Sequence, residues 1–192
     1  MTQNNRFTPP LMLKNPHIQS ILNSLGPRKI RAKRQAKKLD SEILTLTAKD
    51  GTRLLAEYDR SNAPNNSLII LLHGWEGSSR SAYQVTTAYY LLRQGFDVLR
   101  LNLRDHGDSH HLNFELFNST MTQEVAEAIA CFLETHSYEK RFLAGFSLGG
   151  NFTLRIAADH GTSLKLTAAV GVCPPVDPTN AMTALDNTLF FY

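Results

Sequence analysis

The segment "AGFSLGGN", residues 144–151, places a serine, Ser147, between two glycines, Gly145 and Gly149. The spacing fits Gly-x-Ser-x-Gly, which at a strand-to-helix junction holds the serine in a strained backbone conformation with its hydroxyl clear of the sheet. Larger side chains at the two flanking positions would collide with the neighbouring strand and helix. Glycine and serine are common, so the pattern alone also fits a simple loop. Because a strand and a helix can each be recognised beside it, the pattern indicates that Ser147 is a candidate nucleophile.

A second segment, "HGWEGSS" at residues 73–79, has the composition of a loop that stabilises a negatively charged oxygen. An oxyanion hole needs two N–H donors, one from the residue after the nucleophile and one from the loop after an earlier strand. We predict that these donors are the backbone N–H groups of Leu148 and Trp75. Leu148 begins a helix, where negative charge is stabilised. Gly74 and Gly77 allow the main chain to approach a substrate closely.

The histidines near these segments have both a chemical and a structural interpretation. His73 is either a base or a hydrogen-bonded residue that supports its loop, and we favour the second. The segment "RDHGDSHH" holds His106, His110 and His111 beside two aspartates, which raises the question of a metal site. Their spacing matches no metal template, so we favour a structural turn and expect no metal and no cofactor.

The elements that position these segments follow from the hydrophobic pattern. Residues 42–48 and 52–59 alternate in polarity around an Asp-Gly turn, which predicts an antiparallel hairpin. From residue 67 onward, apolar runs alternate with segments of helical periodicity, which predicts a mostly parallel sheet with helices on both faces. The runs "SLIILLHG" and "LTAAVGVCPP" are both predicted to be buried strands. In such a sheet a ligand site lies at the carboxyl ends of the strands, where all three segments fall.

Taken in order, these motifs resemble the α/β-hydrolase superfamily over residues 42–177. The resemblance rests on "LLHGWEGSS", "LNLRDHGDS" and "GFSLGGN". The segment "NPHIQSIL", residues 15–22, is similar to the arm of a subfamily that holds YheT-type hydrolases and ABHD-type acylglycerol lipases and esterases. The resemblance implies a serine carboxylic-ester hydrolase that forms an acyl-enzyme on Ser147. Its implied substrate is a small-molecule ester or an acylglycerol.

The rest of a catalytic triad is missing from the expected place. In this superfamily the acid and then the histidine follow the serine, and the only later histidine here is His160. It ends the helix that begins at the serine, roughly 15–20 Å away. Asp177 is either an acid in a variant arrangement or, as we favour, a turn residue. We therefore expect that the triad acid and base are not in this chain, which resembles an N-terminal portion lacking the last strands and the cap. The alternative function is a catalytically incomplete or non-catalytic binding module.

The composition, 42% hydrophobic and 19% charged over 192 residues, is typical of a globular domain. No apolar run is long enough to cross a bilayer, and the first ten residues lack the apolar region of a secretory signal. We therefore expect a cytoplasmic protein. Cys131 and Cys173 lie in apolar surroundings and are predicted to be buried, reduced thiols.

A basic segment distinguishes residues 1–40, predicted to be an N-terminal arm, from the hydrolase portion at 41–192. The stretch "PRKIRAKRQAKK" has seven basic residues and no acidic one: Arg28, Lys29, Arg31, Lys33, Arg34, Lys37 and Lys38. Without them, the formal net charge changes from +3 to −4. The segment either forms a solvated surface, which we favour, or makes weak contact with an anionic membrane through residues 28–38. No aromatic residue is interleaved with these charges, so we expect no nucleic-acid partner. The sequence does not predict an oligomeric state.

Overall fold

The structure, a computed structural model, describes residues 8–15, 18–19 and 27–187. The segment "NPHIQSIL" lies largely outside these ranges. Within them, a single 3₁₀ turn at Leu11–Leu13 precedes the basic helix α1, Pro27–Ala36.

The predicted hairpin opens the sheet. It consists of β1, Glu42–Thr47, and β2, Arg53–Asp59, which pair antiparallel along their whole length. Gly51 lies in the turn with φ of 89°, a left-handed conformation that glycine adopts without steric penalty.

Four further strands extend the sheet: β3, Ser67–Leu72; β4, Asp97–Leu101; β5, Lys140–Phe146; and β6, Ala168–Val172. The strand order is β1-β2-β4-β3-β5-β6. β2 and β4 are antiparallel, whereas the three pairs formed by β3 with β4, β3 with β5, and β5 with β6 are parallel. The predicted mostly parallel sheet is therefore confirmed.

Helices connect the parallel strands and cover both faces of the sheet. After α1, the described helices are α2, Ala82–Leu92; α3, Thr122–Thr135; α4, Leu148–His160; and α5, Pro178–Asp186. Every residue of β3 is buried, as expected for a strand between two helical layers. Leu68, Ile70 and Leu72 lie in a core shared with α3 and α4. Ile69 and Leu71 lie in a second core shared with α2.

β6 differs from its predicted environment. It lies at the edge of the described sheet, and its residues alternate between exposed and half-buried. Val170 is 56% exposed, and Cys173, just after the strand, is exposed while Cys131 is half-buried. The prediction of a buried strand and of buried thiols is wrong for these residues. Burial on both faces requires helices on both sides, and a run of apolar letters does not encode them.

The basic segment folds onto the body of the protein, because α1 packs against α2 through Ala32 and Gln35. The division of the chain at residue 40 stays a prediction. Across the described ranges, the helices are all too short or too polar to cross a membrane.

Candidate active site

Ser147 occupies a sharp turn between β5 and α4. Its φ of 51° and ψ of −119° lie in a region that side-chain-bearing residues rarely adopt. The turn is fixed by two main-chain hydrogen bonds: Ser147 N–H donates to Val172 O at 2.9 Å, and Asn151 N–H donates to Ser147 O at 3.0 Å. The serine side chain is consequently exposed at the carboxyl edge of the parallel strands.

The glycines beside Ser147 allow main-chain segments to touch. A Cβ on Gly145 would lie 2.1 Å from Gly149 O, and a Cβ on Gly149 would lie 2.3 Å from His73 O. Real Cβ atoms do not approach backbone this closely, so neither position accepts a side chain without main-chain movement. The elbow at residues 145–149 is therefore packed directly against the end of β3 and the start of the next loop.

The loop at residues 73–77, called the 73–77 loop below, runs beside the serine. A Cβ built on Gly74 would be 3.8 Å from Ser147 Oγ, and Gly77 N–H donates to Gly74 O at 3.0 Å, which closes a tight turn. Trp75 follows Gly74 and is 56% exposed. In the part of the chain that the structure describes, the backbone N–H groups of Trp75 and Leu148 donate to no protein acceptor.

His73 supports this loop from inside the protein. Its imidazole is fully buried, with Nδ1 2.7 Å from Gly74 O, while Leu103 N–H donates to Nε2 at 3.0 Å. Since Nε2 accepts, Nδ1 carries the proton and donates to Gly74 O. Burial lowers the pKa of His73 to about 4, so the ring is neutral at pH 7. Both ring nitrogens are occupied, which leaves neither free to accept a proton from Ser147.

Tyr83, in the first turn of α2, is a residue that the sequence analysis missed. Its hydroxyl accepts the Gly74 N–H at 2.9 Å, and its ring centroid lies 4.9 Å from that of Phe146. One side chain thus touches both the 73–77 loop and the residue before Ser147. The available signal was weak, since an aromatic residue at the start of a helix is usually assigned to the core.

Two residues beyond the 73–77 loop, the main chain is fixed by a buried polar network at Ser79. Asn102 Oδ1 accepts the Ser79 N–H, and Arg100 donates to Ser79 O, both at 2.7 Å. Arg100 is 1% exposed, and its guanidinium lies 2.8 Å from Glu57 and 2.9 Å from Asp59. Buried charges are tolerated when they are paired in this way.

The histidines of "RDHGDSHH" have separate positions. His106 is buried, with Nδ1 2.7 Å from Arg104 O and its ring centroid 4.9 Å from that of His73. His110 and His111 are exposed. Within the described ranges, no three His, Cys, Asp or Glu side chains are grouped closely enough to hold a metal ion.

Comparison with known proteins decides the family. A family model described as the alpha/beta hydrolase fold matches residues 67–191, more than half of the chain. The chain belongs to the α/β-hydrolase family. This confirms the superfamily resemblance drawn from the three sequence motifs.

Individual relatives of this α/β-hydrolase include proteins described as esterases. It is 22% identical to the putative esterase YheT of Escherichia coli over 169 residues, which cover 88% of this chain and 48% of YheT. It is 32% identical to a probable alcohol acetyltransferase of Cyberlindnera fabianii over 111 residues, 57% of this chain and 28% of that protein. The chain therefore spans half or less of the length of these relatives.

A solved structure shows the same fold. The esterase Pf2001 of Pyrococcus furiosus superposes with a TM-score of 0.67 at 16% identity, covering 82% of this chain and 62% of that one. At this identity the likeness concerns the fold alone.

His160 and Asp177, which follow Ser147 in the sequence, do not contact the serine side chain. His160 is the last residue of α4, at the opposite end of the helix from the serine. Asp177 caps α5: its carboxylate accepts the Asn180 N–H at 3.2 Å and the Asn180 side-chain amide at 2.6 Å. Among the described residues, no hydrogen bond is formed by Ser147 Oγ.

Proposed function

We propose that this α/β-hydrolase is a serine carboxylic-ester hydrolase with Ser147 as its nucleophile. The observation that carries the proposal is the strained, exposed serine at residue 147, whose Oγ would lie 3.8 Å from a Cβ on Gly74. Strain of this kind is kept where function requires it. A small-molecule ester or an acylglycerol is the proposed substrate class, in line with the descriptions of relatives as esterases.

In the proposed reaction, Ser147 Oγ attacks the ester carbonyl carbon while a base accepts the hydroxyl proton. The carbonyl oxygen becomes negative and receives hydrogen bonds from the Trp75 and Leu148 N–H groups. The carbon–oxygen bond then breaks, and the alcohol leaves with the proton. Water attacks the acyl-enzyme and releases the acid. Each donor is worth about 10²–10³ in rate in comparable enzymes.

His73 and Tyr83 act in this proposal as positioning residues. The first binds the Gly74 carbonyl and the second binds the Gly74 N–H, so together they fix the two peptide groups on either side of Gly74, the second of which carries the Trp75 N–H. Neither touches the reacting atoms. The base and the acid of the triad are not assigned to residues of this chain, and a cytoplasmic location stays a prediction.

A fluorophosphonate probe and a chromogenic acetate ester test the nucleophile. We expect the probe to label the chain and the label to disappear in Ser147→Ala. Ser137→Ala, which removes another exposed serine hydroxyl, should label like the unchanged chain. Labelling that persists in Ser147→Ala would contradict the assignment.

A non-catalytic binding module is the alternative, and it is supported by the observation that Ser147 Oγ has no hydrogen-bond partner among the described residues. The mass of the protein in its native source separates the two proposals. If the mass is above 21.5 kDa, we expect the remaining triad residues in the additional chain and expect the longer protein to hydrolyse esters. A mass equal to that of 192 residues, together with no ester turnover above the Ser147→Ala background, supports the binding module.

A further inference from the structure

The outward side of α1 is a cationic surface that the proposed hydrolase chemistry does not use. We define the cationic face as Lys29, Ile30, Lys33, Arg34 and Lys37, all exposed. These positions lie one turn apart along the helix and opposite Ala32 and Gln35, which are its buried residues. The backbone turn continues to Lys37, whose N–H donates to Lys33 O at 3.4 Å.

This face has a fixed orientation on the protein. Ala32 and Gln35 are 6% and 8% exposed and pack α1 against α2. Just beyond the helix, Lys38 Nζ lies 5.8 Å from the centre of the Tyr89 ring on α2. The charges are therefore carried by a helix docked on the body, rather than by a loose tail.

The charges of this face have no acidic partner among the described residues. In the described ranges, none of its four cations pairs with a carboxylate, whereas Arg60, Arg80, Arg100 and Arg104 elsewhere all do. Without the seven basic residues of the segment 28–38, the chain has a formal net charge of −4. An anionic surface would be attracted to this face and repelled by the remainder, which also sets the orientation of docking.

An apolar side chain distinguishes this face from a nucleic-acid-binding surface. Ile30 is 58% exposed among the four cations, at the part of the helix that points away from α2. An isoleucine there gains by entering the boundary between lipid headgroups and acyl chains, where amphipathic cationic helices bind. The face has no aromatic residue on which bases could stack.

We propose that the cationic face of α1 docks this protein on the surface of an anionic phospholipid bilayer. Lys29, Lys33, Arg34 and Lys37 contact the headgroups, and Ile30 inserts just below them. The interaction is peripheral and reversible, because one apolar side chain is far less than a membrane anchor.

Co-sedimentation of the 192-residue chain with phospholipid vesicles tests the proposal. We expect binding to phosphatidylcholine vesicles that contain about one-third phosphatidylglycerol, and none to pure phosphatidylcholine vesicles. Binding should weaken steeply as salt rises, because the attraction is screened. Equal binding to both vesicle types, or to neither, would overturn the proposal.

Matched variants locate the surface. The triple change Lys29→Gln, Lys33→Gln and Lys37→Gln should weaken binding about a hundredfold. The control triple change, Lys49→Gln, Lys140→Gln and Lys165→Gln, removes the same charge from exposed lysines elsewhere and should have little effect. Equal weakening by the two triples would mean that net charge alone acts and would contradict a specific face.

The variant Ile30→Ser distinguishes binding to a bilayer from binding to a nucleic acid. We expect vesicle binding about fivefold weaker, from the loss of apolar contact. Ile43→Ser is the control, since Ile43 on β1 is also 58% exposed, and it should bind like the unchanged chain. If a DNA duplex binds more tightly than the anionic vesicles and Ile30→Ser affects neither, the partner is a nucleic acid and the lipid proposal fails.

Discussion

The elbow at residues 145–149, which carries Ser147, packs directly against the 73–77 loop, yet the two segments are held in different ways. The elbow depends on absent side chains: Gly145 and Gly149 let backbone touch backbone. The 73–77 loop depends on present side chains: His73 and Tyr83 bind the carbonyl and the N–H of Gly74. Steric fit holds the first, and buried hydrogen bonds hold the second.

The difference matters because a substitution disturbs the two kinds of constraint in different ways. Overlap with backbone cannot be relieved by rotating a side chain, so a substitution in the elbow must move main chain. Loss of one buried hydrogen bond leaves the loop in place but less well fixed. Substitutions in the two regions should therefore differ in size and in kind.

The largest effect is expected for Gly149→Ala. Its new Cβ would lie 2.3 Å from His73 O and 2.7 Å from Leu72 O, both of them backbone atoms. We expect the free energy of unfolding to fall by about 3 kcal/mol or more, measured by urea denaturation.

Gly51→Ala is the matched control for this change. Gly51 has a φ of 89°, and a Cβ there would meet no atom within 4 Å, so only the backbone conformation is penalised. That penalty is about 1 kcal/mol. If both substitutions cost the same, steric overlap does not hold the elbow.

The next effect is the pH dependence of stability that arises from His73 in the 73–77 loop. Burial lowers the pKa of His73 from 6.5 to about 4, so between these pH values the unfolded chain binds a proton that the folded chain excludes. The contribution of His73 to the free energy of unfolding is fully present above pH 6.5 and is lost as pH falls toward 4. It amounts to about 3 kcal/mol.

Urea denaturation of the unchanged chain and of His73→Asn between pH 7 and pH 4 measures this contribution. His73→Asn should be less stable at pH 7, because the hydrogen bonds to Gly74 and Leu103 are lost. Its stability should also depend less on pH over this range. Parallel pH profiles in the two proteins would show that His73 is not the group responsible.

The smallest effect is expected for Tyr83→Phe. The substitution leaves the ring against Phe146 but removes the acceptor of the buried Gly74 N–H, at a cost of about 1 kcal/mol. Trp75 is the only tryptophan of the chain and lies in the affected loop. Its fluorescence anisotropy should fall, because the loop is less restrained.

Tyr90→Phe provides the comparison for this measurement. Tyr90 lies on the same helix and is 63% exposed, so its hydroxyl should be dispensable. Unchanged Trp75 anisotropy in Tyr83→Phe, despite normal folding, would mean that Tyr83 does not restrain the loop.

Two apolar runs show that the sequence predicts strands more reliably than it predicts their burial. The runs "SLIILLHG" and "LTAAVGVCPP" are both predicted to be buried strands, and both contain a strand, because a local pattern of apolar residues is sufficient to indicate one. β3 lies between β4 and β5 and has a helical layer on each face, whereas β6 lies at the edge of the described sheet. Burial depends on neighbours that are distant in the chain, so the pattern gave the right answer for one strand and the wrong one for the other.

The candidate site divides in the same way. The positions of Ser147, Gly145 and Gly149 could be inferred because a short motif at a strand-to-helix junction determines its own geometry. Tyr83 could not be inferred, since its contact with Gly74 depends on how α2 packs beside the loop. The buried Arg100–Glu57 pair was equally hidden, because in the predicted strand Glu57 is indistinguishable from a solvent-facing residue.

By itself, the sequence determined the order of elements, the sharp turn at Ser147 and the basic character of residues 28–38, since each depends on residues close together in the chain. Three motifs spread over residues 42–177 indicated the fold family through their resemblance to known proteins. Among the described residues, only the tertiary structure decided which strand lies at the edge of the sheet, which nitrogens of His73 are occupied and which side of α1 is buried against α2. Those properties depend on contacts between residues far apart in sequence. Free energies of burial and hydrogen bonding are set by such contacts, and no local pattern encodes them.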